Sequence, residues 1–78
     1  MSETRLIHGF HAVTARLRQR PDGVREIYLL ESRQDARARD LVRLAEAAGV
    51  RVIAADARRL EGLATHGRHQ GVEARVSA

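Results

Sequence analysis

The stretch VREIYLLESRQDARARDLVRLAEAAGVRVIAA, Val24–Ala55, decides the fold class because it contains two different periodicities. Its start, VREIYLL, is rich in β-forming residues. Near the end of this segment, the residues that would face either side of a strand are apolar, which predicts an interior strand over Val24–Leu30. A helical pattern follows and ends at Gly49. The segment VRVIAA, Val50–Ala55, has strand character again. A strand, a helix and a second strand in one unbroken stretch predict an α/β layer structure.

The helix of this stretch has a start signal, an apolar face and a charged face. Ser32, followed three residues later by Asp35, resembles a capping box. The predicted core-facing residues are Leu41, Leu44, Ala45 and Ala48, and the predicted outer residues are Arg39, Arg43 and Glu46. Charges of both signs are interleaved, with Asp35 and Arg39 at i, i+4 spacing. We therefore expect a solvated, self-paired surface formed by Arg33, Arg37, Arg39, Arg43, Asp35, Asp40 and Glu46.

Towards the N-terminus, the sequence predicts a strand, a helix and a turn. RLIHG, Arg5–Gly9, is a short apolar run ended by glycine, which predicts a strand over Arg5–His8. Apolar residues then recur at helical spacing, and they are Phe10, Val13 and Leu17. Pro21-Asp22-Gly23 predicts the turn that follows.

Towards the C-terminus, the sequence predicts a third helix and a last strand. Asp56 can accept hydrogen bonds from the first amides of a helix that directs Leu60 and Leu63 inward. GVEARV, Gly71–Val76, alternates and is the predicted last strand. The order βαβαβαβ, without linker or repeat, predicts one small α/β domain.

The composition restricts the classes of function. With 78 residues the chain is one small domain, too small for a complete enzyme of most classes. It has no cysteine, so neither a disulfide nor a cysteine-ligated zinc can stabilise it. All 14 basic residues are arginine and the formal net charge is +4, which favours polyanionic partners. Without a leader-like segment or an apolar run of roughly 20 residues, we expect a cytoplasmic protein with no membrane partner.

The segment THGRHQG, Thr65–Gly71, concentrates candidate functional residues before the last strand. His66 and His69, with His8 and His11 near the N-terminus, form two H-x-x-H spacings, but no carboxylate or cysteine completes a recognised zinc signature. General acid–base catalysis would need an orienting group and a nucleophile beside a histidine, and no diagnostic spacing supplies them.

Two interpretations of this segment remain open from the residues alone. Gly67 and Gly71 allow a close backbone approach, and Arg68 can form paired hydrogen bonds with a phosphate, as RNA binding requires. The same glycines can instead serve turn geometry while His69 packs or caps. The GxxxxGK[ST] pattern is absent, so nothing supports binding of a nucleoside triphosphate.

Three segments carry a resemblance to a known family. IHGFHAV (Ile7–Val13), LLESRQDARARDLVRLAEAAGVRVI (Leu29–Ile53) and HQGVEARV (His69–Val76) match it in order and spacing. The chain resembles the N-terminal substrate-binding domain of the SpoU/TrmH family of ribosomal-RNA ribose 2′-O-methyltransferases, most of all members that methylate a guanosine ribose of large-subunit (23S) ribosomal RNA. The resemblance covers nearly the whole chain.

This resemblance implies a fold and a division of labour. The fold would be that of small ribosomal proteins that bind kinked RNA, a mixed four-stranded sheet with the last strand between the first two and antiparallel to both. Methyl transfer and S-adenosylmethionine binding would belong to a C-terminal knotted domain that begins after about Val76. We therefore expect residues 1–78 to bind ribosomal RNA, to hold no cofactor or metal and to be non-catalytic alone. The isolated chain would be a monomer and the intact protein a homodimer.

The resemblance favours RNA as the ligand of the segment before the last strand. If that strand runs antiparallel beside the first, its start at Gly71 must lie near the first strand's end at His8 and Gly9. The expected RNA-binding residues are His8, Gly9, His11, His66, Arg68, His69, Gln70 and Gly71. Glu73 and Arg75 would lie on a central strand, where we expect them to be paired or solvated.

Two alternatives accompany this expectation. A domain of this fold could instead bind a protein, such as its own catalytic domain. Arg16, Arg18 and Arg20, at the end of the first helix, are a second candidate RNA surface, although cations there also suit the helix dipole. The aromatic residues are Phe10 and Tyr28 alone, fewer than a base-stacking sheet needs, so RNA binding should depend on backbone and shape and be salt-sensitive.

Overall fold

The computed structural model describes residues 4–33, 35–63 and 71–77. The strands are β1 (Thr4–His8), β2 (Val24–Leu30), β3 (Arg51–Ala55) and β4 (Val72–Ser77). The helices are α1 (Phe10–Gln19), α2 (Ala36–Ala48) and α3 (Ala57–Leu63), and a 3₁₀ turn, Pro21–Gly23, precedes β2. The strand bounds agree with the sequence prediction to within one residue, so the predicted βαβαβαβ order is confirmed.

The four strands form one mixed sheet in the order β1-β4-β2-β3. β4 lies antiparallel between β1 and β2, with Ala74 opposite Ile7 on one side and Ile27 on the other. β3 extends the sheet as an edge strand parallel to β2. The predicted inside position of the last strand and interior position of β2 are both confirmed.

α1 and α2 cover one face of this sheet and enclose the main hydrophobic core. The buried helix residues are Phe10, Val13 and Leu17 of α1 and Ala38, Leu41 and Ala45 of α2, and the buried β4 residues below them are Val72, Ala74 and Val76. Leu44 is partly buried, and Arg39, Arg43 and Glu46 are exposed, as predicted. The prediction for Ala48 is wrong because the apolar stripe begins a turn earlier, at Ala38, and leaves Ala48 exposed at the helix end.

α3 covers part of the opposite face of the sheet. The Asp56 carboxylate accepts a hydrogen bond from the Arg59 amide at 2.8 Å, which confirms its predicted capping role. Leu60 is fully buried against Tyr28 and Ala55, as predicted, whereas the side chain of Leu63 lies outside the described part. No helix in the described ranges is long and apolar enough to span a bilayer.

The two ends of α2 show which sequence signals operate. Asp35, in extended conformation, is the N-cap and accepts a hydrogen bond from the Ala38 amide at 3.2 Å. The predicted capping box starting at Ser32 is therefore wrong, because Asp35 is itself the cap and α2 begins one residue later. At the other end Gly49 adopts the left-handed conformation, with φ of 74°, and Val50 donates to the Ala45 carbonyl at 2.8 Å, so the predicted glycine stop is confirmed.

Candidate functional site

The end of β1 and the start of β4 meet at one edge of the sheet. His8 lies opposite Glu73, and the Gly9 amide donates a hydrogen bond to the Val72 carbonyl at 3.1 Å. The Leu30 amide at the end of β2 donates to the Gly71 carbonyl at 2.8 Å. This boundary of the sheet, formed by the ends of its strands and not by an outer strand, is called the rim below. Its geometry confirms the prediction that the start of the last strand lies beside His8 and Gly9.

All three helices begin at the rim. Since β1 and β2 are both antiparallel to β4, they run parallel to each other and end at the same edge, as does β3. Each is followed directly by its helix, so the amino ends of α1, α2 and α3 lie along this edge. The amino end of a helix carries partial positive charge, so the rim is suited to anionic ligands.

α1 differs from α2 and α3 in how its amino end is capped. Asp35 and Asp56 cap α2 and α3 with their carboxylates, whereas the N-cap of α1 is Gly9, and no acidic residue lies in its first turn. The exposed His11 occupies the second position of α1, and the exposed His8 ends β1. Two of the predicted site histidines thus lie within three residues of each other on the rim.

The two predicted rim glycines serve the backbone. Gly9 and Gly71 are buried, with φ of 93° and 88°, a region that side chains disfavour. The Gly9 amide donates a hydrogen bond to the Val72 carbonyl, so it is not open to a ligand. These glycines shape the rim by letting β1 turn into α1 and by starting β4.

The remaining predicted site residues lie outside the described part of the chain. They are His66, Arg68, His69 and Gln70. Among the described residues, no three potential metal ligands lie together. Two of the four histidines in the H-x-x-H spacings, His66 and His69, lie outside those ranges.

Arg33 joins three elements at the rim, a role that the sequence prediction missed. Its guanidinium lies 4.8 Å from the centroid of the buried Phe10 ring and pairs with Asp35, Nη2 to Oδ2, at 3.1 Å. A Cβ built on Gly71 would lie 3.6 Å from its Nη1. The prediction had placed Arg33 in a self-paired surface of α2, but α2 begins only at Ala36. The aromatic residue at the start of α1 was the available signal for this contact.

The charged groups beside Arg33 are held in defined states. The hydrogen bond from Arg33 is the main reason why the pKa of Asp35 lies below its ordinary value, and the Ala38 amide acts in the same direction. Asp35 is therefore a carboxylate at neutral pH, and it pairs with a residue outside the helix.

Asp40 and Glu46 form no salt bridge with any described residue, so the predicted self-paired surface is not seen at these two positions.

The opposite face of β4 carries the two charged residues expected on the central strand. Arg75 is partly exposed and pairs with Glu26 of β2 at 3.5 Å, as predicted. Tyr28 donates a hydrogen bond to the same Glu26 carboxylate, which is the main reason why its pKa is raised. Glu73 is 1% exposed and lies between His8 and Tyr28 in the sheet, so solvation, one of the two expected alternatives, does not apply to it.

The second candidate RNA surface lies away from the rim. Arg16, Arg18 and Arg20 are at the carboxyl end of α1, and the helix of ten residues is about 15 Å long. The two candidate surfaces are therefore far enough apart for mutations to distinguish them.

Comparison with known proteins gives one consistent family. The chain matches the family model for RNA 2′-O ribose methyltransferase substrate binding over residues 6–78. It is 53% identical over 78 residues to a Ralstonia nicotianae protein named 23S rRNA (guanosine-2′-O-)-methyltransferase RlmB, and 44% identical to one of the same name from Neisseria meningitidis. A Shewanella oneidensis protein of that name is 37% identical. Each match includes the whole chain but only 31 to 32% of the relative, so the chain spans about a third of these proteins.

Proposed function

This chain belongs to the RNA 2′-O ribose methyltransferase substrate-binding family, and we propose that it binds RNA through the rim. The observation that carries the proposal is the central position of β4. It places Gly71 and the start of this strand beside Gly9 and the end of β1. This arrangement supports the proposal that two motifs distant in sequence, HGFH and HQG, act together.

The proposed contacts use both the backbone and the side chains of the rim. The proposed RNA-binding residues are His8, Gly9, His11, His66, Arg68, His69, Gln70 and Gly71. His8 and His11 are exposed and can donate to phosphate or stack on an unpaired base. The amino end of α1, which lacks a capping side chain, can attract a phosphate. Gly9 and Gly71 contribute by shaping the backbone.

The proposed substrate is large-subunit ribosomal RNA. The relatives' shared name specifies guanosine 2′-O-methylation of 23S RNA. We propose that residues 1–78 position such RNA for methylation by a knotted catalytic domain elsewhere in the intact protein, a cytoplasmic homodimer. In this proposal the isolated domain is monomeric and does not transfer methyl groups.

The methyl donor of the intact protein would be S-adenosylmethionine, and the described residues do not fit this group. Open α/β sheets bind cofactors where neighbouring parallel strands lead their helices in opposite directions. In the described ranges the parallel neighbours are β2 and β3, and α2 and α3 follow them on opposite faces of the sheet. The carboxylates of Asp35 and Asp56, which lie after these strands, are however both occupied in capping helices and do not face a ligand. The domain therefore contributes binding of RNA and no step of methyl transfer.

The test of this function is RNA affinity measured at several salt concentrations. Fluorescence anisotropy with a labelled ribosomal-RNA hairpin should give tight binding that weakens as salt rises. Arg68→Ala should weaken binding and reduce the salt slope by about one ion, with unchanged thermal stability. Arg51→Ala is the matched control. Arg51 is exposed at the amino end of β3, on the side of the sheet opposite the rim, so its substitution should change neither the RNA affinity nor the salt slope. Unchanged affinity in Arg68→Ala and Gln70→Ala, with weaker binding in Arg16→Ala and Arg20→Ala, would move the site to the end of α1.

One observation favours a second function, binding to a protein. A cavity of about 390 Å³ beside the edge strand β3 is lined in part by Leu29, Val42, Val50 and Val52. Apolar surface at a sheet edge suits a protein partner, and the catalytic domain of the same protein is the candidate. Association with the separately produced catalytic domain that persists at high salt, without affinity for RNA, would support this function over the first.

A further inference from the structure

A cleft between α1 and α2 adjoins the rim and lies outside the residues proposed above, except for His11. It has a volume of about 330 Å³ and is lined by Phe10, His11, Thr14 and Arg18 of α1 and by Arg37, Asp40 and Leu44 of α2. A volume in this range can hold a small ligand. Because α1 and α2 both begin at the rim, the cleft extends from His11 and Arg37, near the rim, along the two helices.

Two matching stripes of side chains face each other across this cleft. His11, Thr14 and Arg18 are spaced three and four residues apart on α1, and the α2 residues have the same spacing. Residues at such spacing lie on one side of a helix. The pattern places polar and charged groups where two neighbouring helices of one layer could have packed apolar residues.

Arg18 suits the carboxyl end of α1, but the charges that α2 contributes to the cleft are not arranged to stabilise that helix. Arg37 is exposed at the second position of α2, close to the amino end, where a helix disfavours cations. Asp40 lies one turn further on, yet no salt bridge joins it to Arg37, Arg18 or any other described residue. Two guanidinium groups and one carboxylate are therefore available to a ligand in the cleft.

We infer that the α1–α2 cleft holds one unpaired nucleotide of the bound RNA. Arg18 and Arg37 contact its phosphate, and the Asp40 carboxylate accepts hydrogen bonds from amino or imino groups of its base. Thr14, which is partly buried, can donate or accept beside the base. The inference rests on the proposed function, because the nucleotide belongs to RNA that already lies on the rim.

The phosphate part of the inference is tested by one substitution and a control on the same helix. The experiment measures binding of the chain to a labelled RNA hairpin with a single bulged nucleotide, at several salt concentrations. Arg37→Gln should weaken binding severalfold and reduce the salt slope by about 0.7, the value for one phosphate of a single strand. Arg43→Gln, on a side of α2 that lines a different cavity, should leave the slope unchanged. Equal slopes for the two variants would overturn the inference.

The base part is tested by a double-mutant cycle with the same RNA. Removing the bulged base, to leave an abasic site, should weaken binding by roughly five- to tenfold. Asp40→Asn should cause a comparable loss with the intact hairpin and no further loss with the abasic one. Additive losses would show that Asp40 and the base do not meet, and would overturn the inference. Thermal unfolding checks that each variant is folded.

The outcomes also separate this inference from the function on which it rests. If the chain binds the hairpin and Arg68→Ala weakens it while Arg37→Gln and Asp40→Asn do not, the cleft is empty of RNA and the rim proposal stands. If the unaltered chain shows no salt-dependent RNA binding, both are wrong.

Discussion

At the scale of single residues, Gly71 is one of two rim glycines, with Gly9, whose φ is positive. Its φ of 88° disfavours any side chain, although an added Cβ would meet Arg33 and Leu30 only at ordinary contact distances of 3.6 to 3.7 Å. Gly71→Ala should therefore lower the free energy of unfolding by about 1–2 kcal/mol through backbone strain alone. Gly23→Ala is the control, because its φ is ordinary and nothing lies within 4 Å of the new Cβ. Chemical denaturation measures both, and equal stabilities would contradict the conformational role of Gly71.

Asp35 gives a prediction about pH. Its pKa is lowered from 3.8 by Arg33 and by the Ala38 amide, so its carboxylate is more favourable in the folded chain than in the unfolded one. This stability is present above the ordinary carboxyl pKa and is lost as pH falls through the lower, folded-state value. Asn also caps helices, so Asp35→Asn should keep the cap and lose this pH dependence. The difference in melting temperature between the two proteins should be constant above about pH 4 and should shrink as pH falls further, towards the folded-state pKa; a constant difference at every pH would contradict the explanation.

At the scale of elements, α3 should be the least stable part of the described fold. It has seven residues, and its core contact is a small cluster of Tyr28, Ala55 and Leu60, with Leu30 and Ile53 at the margin. Local stability follows buried apolar contact, so α3 amides should exchange with solvent faster than those of β4 and β2. Hydrogen exchange followed by NMR measures this. Protection in α3 equal to that in β4 would show that the helix unfolds only with the whole domain.

The elements also show how far the sequence reaches. Sequence patterns predicted every described helix and strand. Helical periodicity identified buried residues of the helices, such as Leu41 and Leu60, and alternation identified β4, whereas β1 and β2 were predicted from short apolar or β-forming runs. Periodicity does not specify neighbours in a sheet, so the inside position of β4 came from the resemblance. Ser32 was predicted to cap α2 and Arg33 to lie on its surface. Both predictions were wrong because Ser32 and Asp35 are each suitable cap residues, and local sequence signals do not show which of them begins the helix. The alternating pattern of β4 predicts that Glu73 faces solvent, so the burial of this residue could not be predicted from it.

At the scale of the whole molecule, residues 1–78 should be unable to carry out methyl transfer. After the parallel strands β2 and β3, the carboxylates of Asp35 and Asp56 are both occupied in capping α2 and α3 and do not face a cofactor. Calorimetry should detect no binding of S-adenosylmethionine, and incubation of the chain with this donor and ribosomal RNA should yield no methylated RNA. Measurable affinity for the donor would show that the domain takes part in the chemistry.

The central claim is that the sheet order joins two separate motifs into one RNA-binding surface. The most direct test is chemical-shift mapping of the isotopically labelled chain as a ribosomal-RNA hairpin is added at moderate salt. The amide signals of His8, Gly9, His11 and Gly71 should shift together, with the same saturation, because they share the rim. Arg51, at the opposite edge, should stay unchanged. Shifts confined to Arg16 and Arg20, with the rim unaffected, would contradict the account.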